Sequence, residues 1–368
     1  MSFTSTSSLV VHDYFAIRGG GERLALALAK GLSADLMYGF RTSDSYEPVQ
    51  FPAASVDLGL PEYLQRPMMR VPALAARFAL MRGKMSRYQT RIYSGASAPF
   101  AAPPKQAGYN NIYYCHTPPR FLYDQKDHFD RVRSKSGAFN ASSIAISIYE
   151  KRFRSAVDRM DVIIANSLNV QARIGKFLSK DSCVVYPPVD VDGFRWVGQG
   201  DYYLSTARLS RLKRVDKIVE AFLGLPHLKL VVASGGEELG YLSKLAKNAP
   251  NITFTGWIDD AQMKELVGGS IATIYVPVDE DFGMSPVEAM AAGKPVIGVN
   301  EGGLTETIIP ERTGILLPAE FSSADLARAV ARLTPDAALA MRKSCEAQAI
   351  KFSEQRFLME MKNLMRLT

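Results

Sequence analysis

Two glutamates eight residues apart, Glu280 and Glu288, stand in the run Val276-Pro-Val-Asp-Glu280-Asp-Phe-Gly-Met-Ser285-Pro-Val-Glu288-Ala-Met-Ala-Ala-Gly293. The pattern predicts a strand, a glycine-containing turn and a helix, with Ser285 as N-cap, Pro286 as first helical residue and Gly293 as the stop. A helix starting there presents the backbone N–H groups of Gly283, Met284 and Ser285, with Phe282 beside them, to phosphate or sugar oxygens at the strand ends. Ser285-x-x-Glu288 also fits a capping box, and Glu280 also fits a solvated loop acid. Spacing alone leaves a ligand cradle and a merely capped helix side by side.

Three other clusters have chemical potential. Arg208, Arg211, Lys213 and Arg214 follow a strand-like stretch within seven residues. A fixed guanidinium fork and a mobile ammonium suit a departing diphosphate, although solvated basic turns are common. Arg18-Gly19-Gly20-Gly21-Glu22 lets backbone approach a phosphate or sugar where a Cβ would intrude, or serves as a plain flexible turn. Tyr114-Cys-His116-Thr-Pro-Pro-Arg120-Phe-Leu-Tyr123 ends a strand on a histidine that can donate to a substrate hydroxyl or phosphate, or can be structural.

These groups need strand ends to hold them, and the chain supplies strands. Strand-like Leu9 to His12, Asn111 to Cys115 and Val162 to Ala165 alternate with helical Glu22 to Gly31 and Asn169 to Leu178. The pattern restarts after Pro187-Pro188 with Tyr202 to Thr206, Lys229 to Ala233, Ile252 to Thr255, Ile271 to Val276 and Val296 to Gly298, while the tail from Glu320 is helical. Alternation of this kind predicts an α/β chain with parallel sheets in two Rossmann-like domains. Their expected bounds are 1–186, completed by a C-terminal helix 352–368, and 187–351. Such domains facing across a cleft would bind ligands beyond the carboxyl ends of their strands.

Length and composition agree: 368 residues, 47% apolar and 22% charged, are enough for two cores. No apolar run reaches the roughly 18 residues a spanning helix needs, and the N-terminus lacks signal-peptide character, so a cytoplasmic location is expected. Three separated cysteines suggest reduced thiols. The net charge of +7 is concentrated: residues 63–123 hold nine Lys and Arg and no acid, leaving 7 − 9 = −2 for the remainder. That region suggests an anionic partner, whether membrane surface, nucleic acid or phosphorylated substrate. Leu74, Phe78, Met81 and Met85 make an apolar helical stripe flanked by Arg70, Arg77, Lys84 and Arg91. The stripe fits a helix lying on anionic lipid and fits a core-packed helix equally.

Taken in order along the chain, these segments resemble the family-4 glycosyltransferases of the GT-B fold. Glu280 and Glu288 match the family's E-x7-E signature, Arg208 and Lys213 its R-x4-K pair, Gly20-Gly21-Glu22 its N-terminal glycine loop, and Gly302-Gly303-Leu-Thr-Glu306 the turn after the next strand. Ala165-Asn166-Ser167 also falls where the family places it. The resemblance implies that Arg208 and Lys213 hold the donor diphosphate, Glu288 the ribose, and Glu280 with Gly283 to Ser285 the sugar. His116 would touch the sugar near the reacting centre, and the base would sit against Gly256, Trp257 and Ile258. It also implies retention of anomeric configuration without an enzymic nucleophile, and no metal or other cofactor. Asp190-Val-Asp192 is read as linker, not as a metal-binding DxD.

The wording around His116 further resembles bacterial mannosyltransferases of O-antigen and exopolysaccharide synthesis. That implies GDP-mannose as donor and a lipid-linked glycan as acceptor, met at the inner face of the cytoplasmic membrane with Arg120 and Tyr123 at the acceptor side. An epimerase-like GT-B enzyme and a basic nucleic-acid-binding protein are the competing readings.

Overall fold

A computed structural model describes residues 8–124 and 139–367. The chain divides into two compact units: Met1–Pro188 with Phe357–Thr368, and Val189–Arg356.

Unit one carries β1 (Ser8–His12), β2 (Asp35–Tyr38), β3 (Ser55–Asp57), β4 (Thr90–Ser94), β5 (Asn110–Cys115), β6 (Val162–Ala165) and β7 (Cys183–Val184). They form one parallel sheet in the order β3-β2-β1-β4-β5-β6-β7. Its helices are α1 (Gly20–Gly31), α2 (Pro67–Met81), α3 (Phe139–Val157) and α4 (Leu168–Leu178). Because successive strand residues face opposite sides, Leu9, Val11, Tyr93, Tyr113 and Ile163 join one core. Val10, Ile92, Ile112, Tyr114 and Ile164 join the other. A parallel sheet buried on both faces accounts for the apolar strands legible in the sequence. Ser167 caps α4 by accepting from the Val170 N–H at 3.0 Å, which gives Ala165-Asn166-Ser167 a structural duty.

Unit two repeats the plan with β8 (Tyr202–Ser205), β9 (Lys229–Val232), β10 (Ile252–Phe254), β11 (Thr273–Ile274), β12 (Val296–Val299) and β13 (Gly314–Leu317), ordered β10-β9-β8-β11-β12-β13. Its helices are α5 (Val215–Leu223), α6 (Leu239–Leu245), α7 (Asp260–Gly269), α8 (Met284–Ala291), α9 (Leu304–Thr307), α10 (Ser323–Arg332) and α11 (Pro335–Ala349). The last helix, α12 (Glu354–Leu367), contributes Phe357 and Met361 to a core of unit one. In both sheets the strand order reverses beside the first strand, at β1/β4 and β8/β11, which is where doubly wound sheets open a crevice for ligands.

In the basic segment the core-packed alternative holds for the apolar stripe. Leu74, Phe78 and Met85 are fully buried, so the apolar stripe packs into the sheet instead of facing lipid. The cationic flank is partly consumed as well. Arg70 lies over the Tyr14 ring at 4.4 Å, and Arg77 donates to the Leu58 carbonyl at 2.7 Å. Arg91 is buried inside β4, donating to the Met85 carbonyl at 2.8 Å and Asn111 Oδ1 at 3.1 Å. A sequence count treats such arginines as surface charge, whereas here they satisfy buried carbonyls.

Candidate functional site

At the β8/β11 crevice of unit two the turn after β8 meets the loop after β11. Lys213 Nζ lies 2.5 Å from Glu280 Oε2 and donates to the Tyr275 hydroxyl at 2.8 Å. The Tyr275 hydroxyl in turn donates to Glu280 Oε2 at 3.0 Å. The two charged side chains are 23% and 20% exposed, so the pair faces the crevice without being sealed. Glu280 is therefore not an idle loop acid: it holds Lys213 in place. An ammonium has three donors, two of which are used here, so Lys213 can still reach an anion. Burial and the neighbouring Glu280 carboxylate push the Tyr275 hydroxyl well above its ordinary pKa, which keeps it a donor. Arg208 is exposed on the same turn.

Arg214, which the sequence reading grouped with these cations, has a different task. Its guanidinium donates to the carbonyls of Val276, Pro277 and Ala319 at 2.7, 2.7 and 3.0 Å, and its side chain is nearly buried. Glu301 stands 3.8 Å from it and accepts from the Asp279 N–H. A backbone bond from Val278 N to the Leu212 carbonyl, 2.8 Å, completes the link. Together these tie the Lys213 turn to the Glu280 loop. The Gly302-Gly303 turn seals the other side: Gly303 N donates to the Glu280 carbonyl at 2.8 Å. A Cβ at Gly302, whose φ is +59°, would lie 2.4 Å from that carbonyl oxygen, and one at Gly303 would meet Phe282 Cα at 2.4 Å.

The helix after this loop starts earlier than predicted. Gly283, at φ +90°, caps α8, Met284 is its first residue, and neither Ser285 nor Glu288 forms a capping box. The loop folds tightly enough over Gly302-Gly303 for glycine to make the bend. Glu288 thereby loses the structural explanation its spacing suggested. The first N–H groups of α8, on Met284 and Ser285, remain at the crevice, and Pro286 falls where a missing donor costs nothing. Phe282 is a correction: its ring is buried and packs on Phe352 at 5.4 Å, so only its backbone borders the site.

A glycine pair the sequence reading passed over completes this edge. The Gly235 carbonyl accepts from Leu209 N at 3.0 Å, and a Cβ on Gly235 would lie 2.4 Å from the indole nitrogen of Trp257. Trp257 thus lies across the glycine while remaining 71% exposed, and Ile258 follows it, half-buried. Ser-Gly-Gly directly after a β-branched strand was the available signal. Elsewhere in the unit, Asp190 accepts from Gly193 N at 3.0 Å and Lys264 Nζ at 2.8 Å, an anchoring role for the DxD segment.

In unit one, Ser94 Oγ sits between two imidazoles, 3.1 Å from His12 Nδ1 and 2.8 Å from His116 Nε2. Gly21 opens on the same place, since a Cβ there would lie 3.6 Å from the His116 ring. Burial lowers the His116 pKa to about 4; burial and His116 lower that of His12 to about 3. With both rings neutral, the single Ser94 proton serves one ring while its oxygen accepts from the other, so the two tautomers are coupled. Two carboxyls lie nearby along the chain. Asp13 accepts from the N–H groups of Ala96, Ser97 and Ala98, and burial raises it to about 6; Glu22, in the first turn of α1, is raised by burial to about 7.

The signs oppose each other. The histidines stabilise the fold above their unfolded value of about 6.5 and lose that contribution as pH falls toward 4, whereas the raised carboxyls contribute below about pH 4 and lose it as pH rises through 6 to 7. Ring-proton NMR provides the check: His12 and His116 should keep neutral shifts while pH drops from 7 to about 5. Titration of both near 6.5 would contradict the buried relay.

The acceptor-side residues fare differently. The Tyr123 ring is stacked on Phe177 at 5.0 Å with Arg154 over it at 5.6 Å, and burial raises its hydroxyl to about 12, so it is spent in packing. Arg120 is half-buried at the same turn.

The fold and these crevice groups define a GT-B chain. Residues 192–352 match the family described as glycosyl transferases group 1. That match covers unit two and agrees with the resemblance of the ordered motifs to the family-4 glycosyltransferases of the GT-B fold. Its relatives include the alpha-1,3/1,6-mannosyltransferase ALG2 of Rhizomucor pusillus, 26% identical over 271 residues, 57% of this chain and 55% of that protein. The human protein of the same name is 26% identical over 249 residues, 58% of each chain. The chain thus spans just over half the length of these curated relatives. Among solved structures, Anabaena Alr3699/HepE in complex with UDP-glucose superposes with a TM-score of 0.74 at 16% identity, covering 98% of this chain and 100% of that one. WaaG, a glycosyltransferase involved in lipopolysaccharide biosynthesis, gives 0.71 at 13% identity, covering 97% and 99%. These two likenesses concern the fold.

Proposed function

We propose that the protein transfers a hexose, mannose from GDP-mannose in its most specific form, from a nucleotide sugar to a lipid-linked glycan of a bacterial surface polysaccharide, with retention of anomeric configuration. The observation that carries this reading is the Lys213–Tyr275–Glu280 knot at the strand-order reversal, beside the free N–H groups of α8. A diphosphate entering there meets Lys213, exposed Arg208 and two backbone donors, all directed at the charge that grows as the sugar leaves. Glu280, relieved of part of its contact with Lys213, accepts from sugar hydroxyls, and Glu288 accepts from the ribose. The exposed Trp257 indole offers the base a face on which to stack. In unit one, neutral His116 serves the sugar as a hydrogen-bonding group set by Ser94. No step in this reading asks for a metal or another cofactor. The relatives named mannosyltransferases support the choice of mannose.

Calorimetric titration with GDP, UDP and GDP-mannose tests the donor half directly. Nucleoside diphosphate binding is expected for the wild type and is expected to weaken about tenfold in Trp257→Ala, the loss of one stacking face. Binding of none of the three would remove the reading. A second expectation concerns unit one: Ser94→Ala should lower kcat about tenfold with little change in donor KM, because the His116 tautomer is no longer fixed. A donor KM that rises while kcat holds would assign Ser94 to binding instead.

A further inference from the structure

The turn after β12 grips the dipeptide Asp279-Glu280 at both of its ends. Glu301 Oε1 accepts from the Asp279 N–H, and the Gly303 N–H donates to the Glu280 carbonyl at 2.8 Å. Between these two bonds the backbone is strained: Asp279 has φ +45°, in the left-handed region that a residue carrying a Cβ seldom enters. Such a conformation persists where the surroundings over-determine it, and it concentrates at working sites. Asp279 directly precedes Glu280, so its backbone sets where the Glu280 carboxylate points and where, four residues beyond Glu280, α8 begins.

The second oxygen of Glu301 faces Arg214, itself left-handed at φ +51°, across 3.8 Å. That separation allows attraction but no hydrogen bond, and the guanidinium already donates to the carbonyls of Val276, Pro277 and Ala319. The hydrogen bond of the carboxylate goes to Asp279 instead. Arg214 follows Lys213 and Asp279 precedes Glu280, so one carboxylate touches the chain neighbour of each member of the Lys213–Glu280 pair. The two contacts differ in what they survive. A diphosphate drawing on the ammonium weakens the Lys213–Glu280 contact, whereas the Glu301–Asp279 bond uses neither of those side chains.

We infer that Glu301 is a positioning residue for the donor loop: its carboxylate holds Asp279 in the left-handed conformation and so keeps Glu280 facing the crevice when a diphosphate draws Lys213 away. The inference rests on the donor reading of Lys213 and Glu280. Glu301 itself meets no substrate. Its effect belongs to turnover, because a sugar-facing group that wanders costs rate, while the diphosphate keeps Lys213, Arg208 and the first N–H groups of α8.

Amide hydrogen exchange on the nucleotide-free full chain and transfer kinetics with GDP-mannose test it together. Glu301→Ala is expected to speed exchange at the Asp279 N–H about tenfold and to lower kcat about thirtyfold, with GDP affinity by calorimetry changed less than about threefold. Glu301→Gln keeps an oxygen for the Asp279 N–H but leaves Arg214 as unneutralised as alanine does. It should therefore recover both the protection and kcat to within about threefold of the wild type. Unchanged exchange at Asp279 in Glu301→Ala would overturn the inference, as would a glutamine variant no better than alanine, which would trace the effect to Arg214. A fall in GDP affinity matching the fall in kcat would overturn it too, by making Glu301 part of binding. A wild type that turns over no donor removes the transfer reading alone: exchange at Asp279 still decides whether Glu301 holds the loop.

Discussion

Replacing Lys213 by alanine is expected to lower kcat/KM for sugar transfer roughly a thousandfold while leaving the melting temperature of the chain almost unchanged. The activity loss follows from position. Lys213 is held on Glu280, four residues before the first residue of α8, and keeps a spare donor, and removing one preorganised group facing developing charge costs about 3–4 kcal/mol of transition-state stabilisation. The small stability effect follows from exposure: the Lys213–Glu280 pair is 23% and 20% exposed, Glu280 retains Tyr275, and water can take the vacated donor's place. Glu280→Gln should separate the two halves of the knot, keeping a hydrogen bond from Tyr275 while releasing Lys213. Unchanged turnover in Lys213→Ala would remove Lys213 from the diphosphate role.

The neighbouring residue should behave in the opposite way. Arg214→Ala strands three carbonyls, on Val276, Pro277 and Ala319, and leaves Glu301 without its cation. Unsatisfied buried acceptors cost about 1–3 kcal/mol each, and partial relaxation brings the expected total to about 3–5 kcal/mol. For a unit of this size that is a fall of roughly 10 °C in melting temperature. Arg214→Lys should recover little, because one ammonium cannot reproduce a planar fork spread over three carbonyls. Scanning calorimetry decides it. A wild-type melting temperature for Arg214→Ala would mean that the Glu280 loop is held by something else. Two adjacent cations, one left with a spare donor at the crevice and one spent on architecture, are indistinguishable by residue type alone.

That pair marks how far the sequence could be read. Strands β1, β5, β6 and β8 to β12, and residues able to meet a ligand, such as Glu280, Lys213 and His116, were legible because their type or their alternation carries the information. Strand β4 was not, because Arg91 interrupts its apolar pattern and only the fold shows that this arginine is buried against Met85 and Asn111. With β4 unread, Ser94 was unread too. It reaches its partners through strand register, opposite His12 on one side and opposite Tyr114, two residues before His116, on the other. Tyr275 escaped for a related reason, since a tyrosine ending a buried strand looks like core until Lys213 and Glu280 arrive from elsewhere. The capping-box spacing of Ser285 and Glu288 misled in the other direction: the tight seat of the loop on Gly302-Gly303 pulls the helix start back to Met284.

The basic segment teaches the same lesson about charge. Nine cations without an acid suggested an anionic partner, yet Arg70, Arg77 and Arg91 are occupied within the fold, and what remains near α2 is a local groove between two helices.

The proposed activity is tested most directly by incubating the folded wild-type chain with a panel of GDP- and UDP-sugars and a lipid-linked glycan extract, and measuring nucleoside diphosphate released together with sugar incorporated into lipid. The account predicts acceptor-dependent release from at least one donor, GDP-mannose foremost, that disappears in Lys213→Ala. A well-folded chain that releases nucleoside diphosphate from none of them, or one whose release is unaffected by Lys213→Ala, would contradict it.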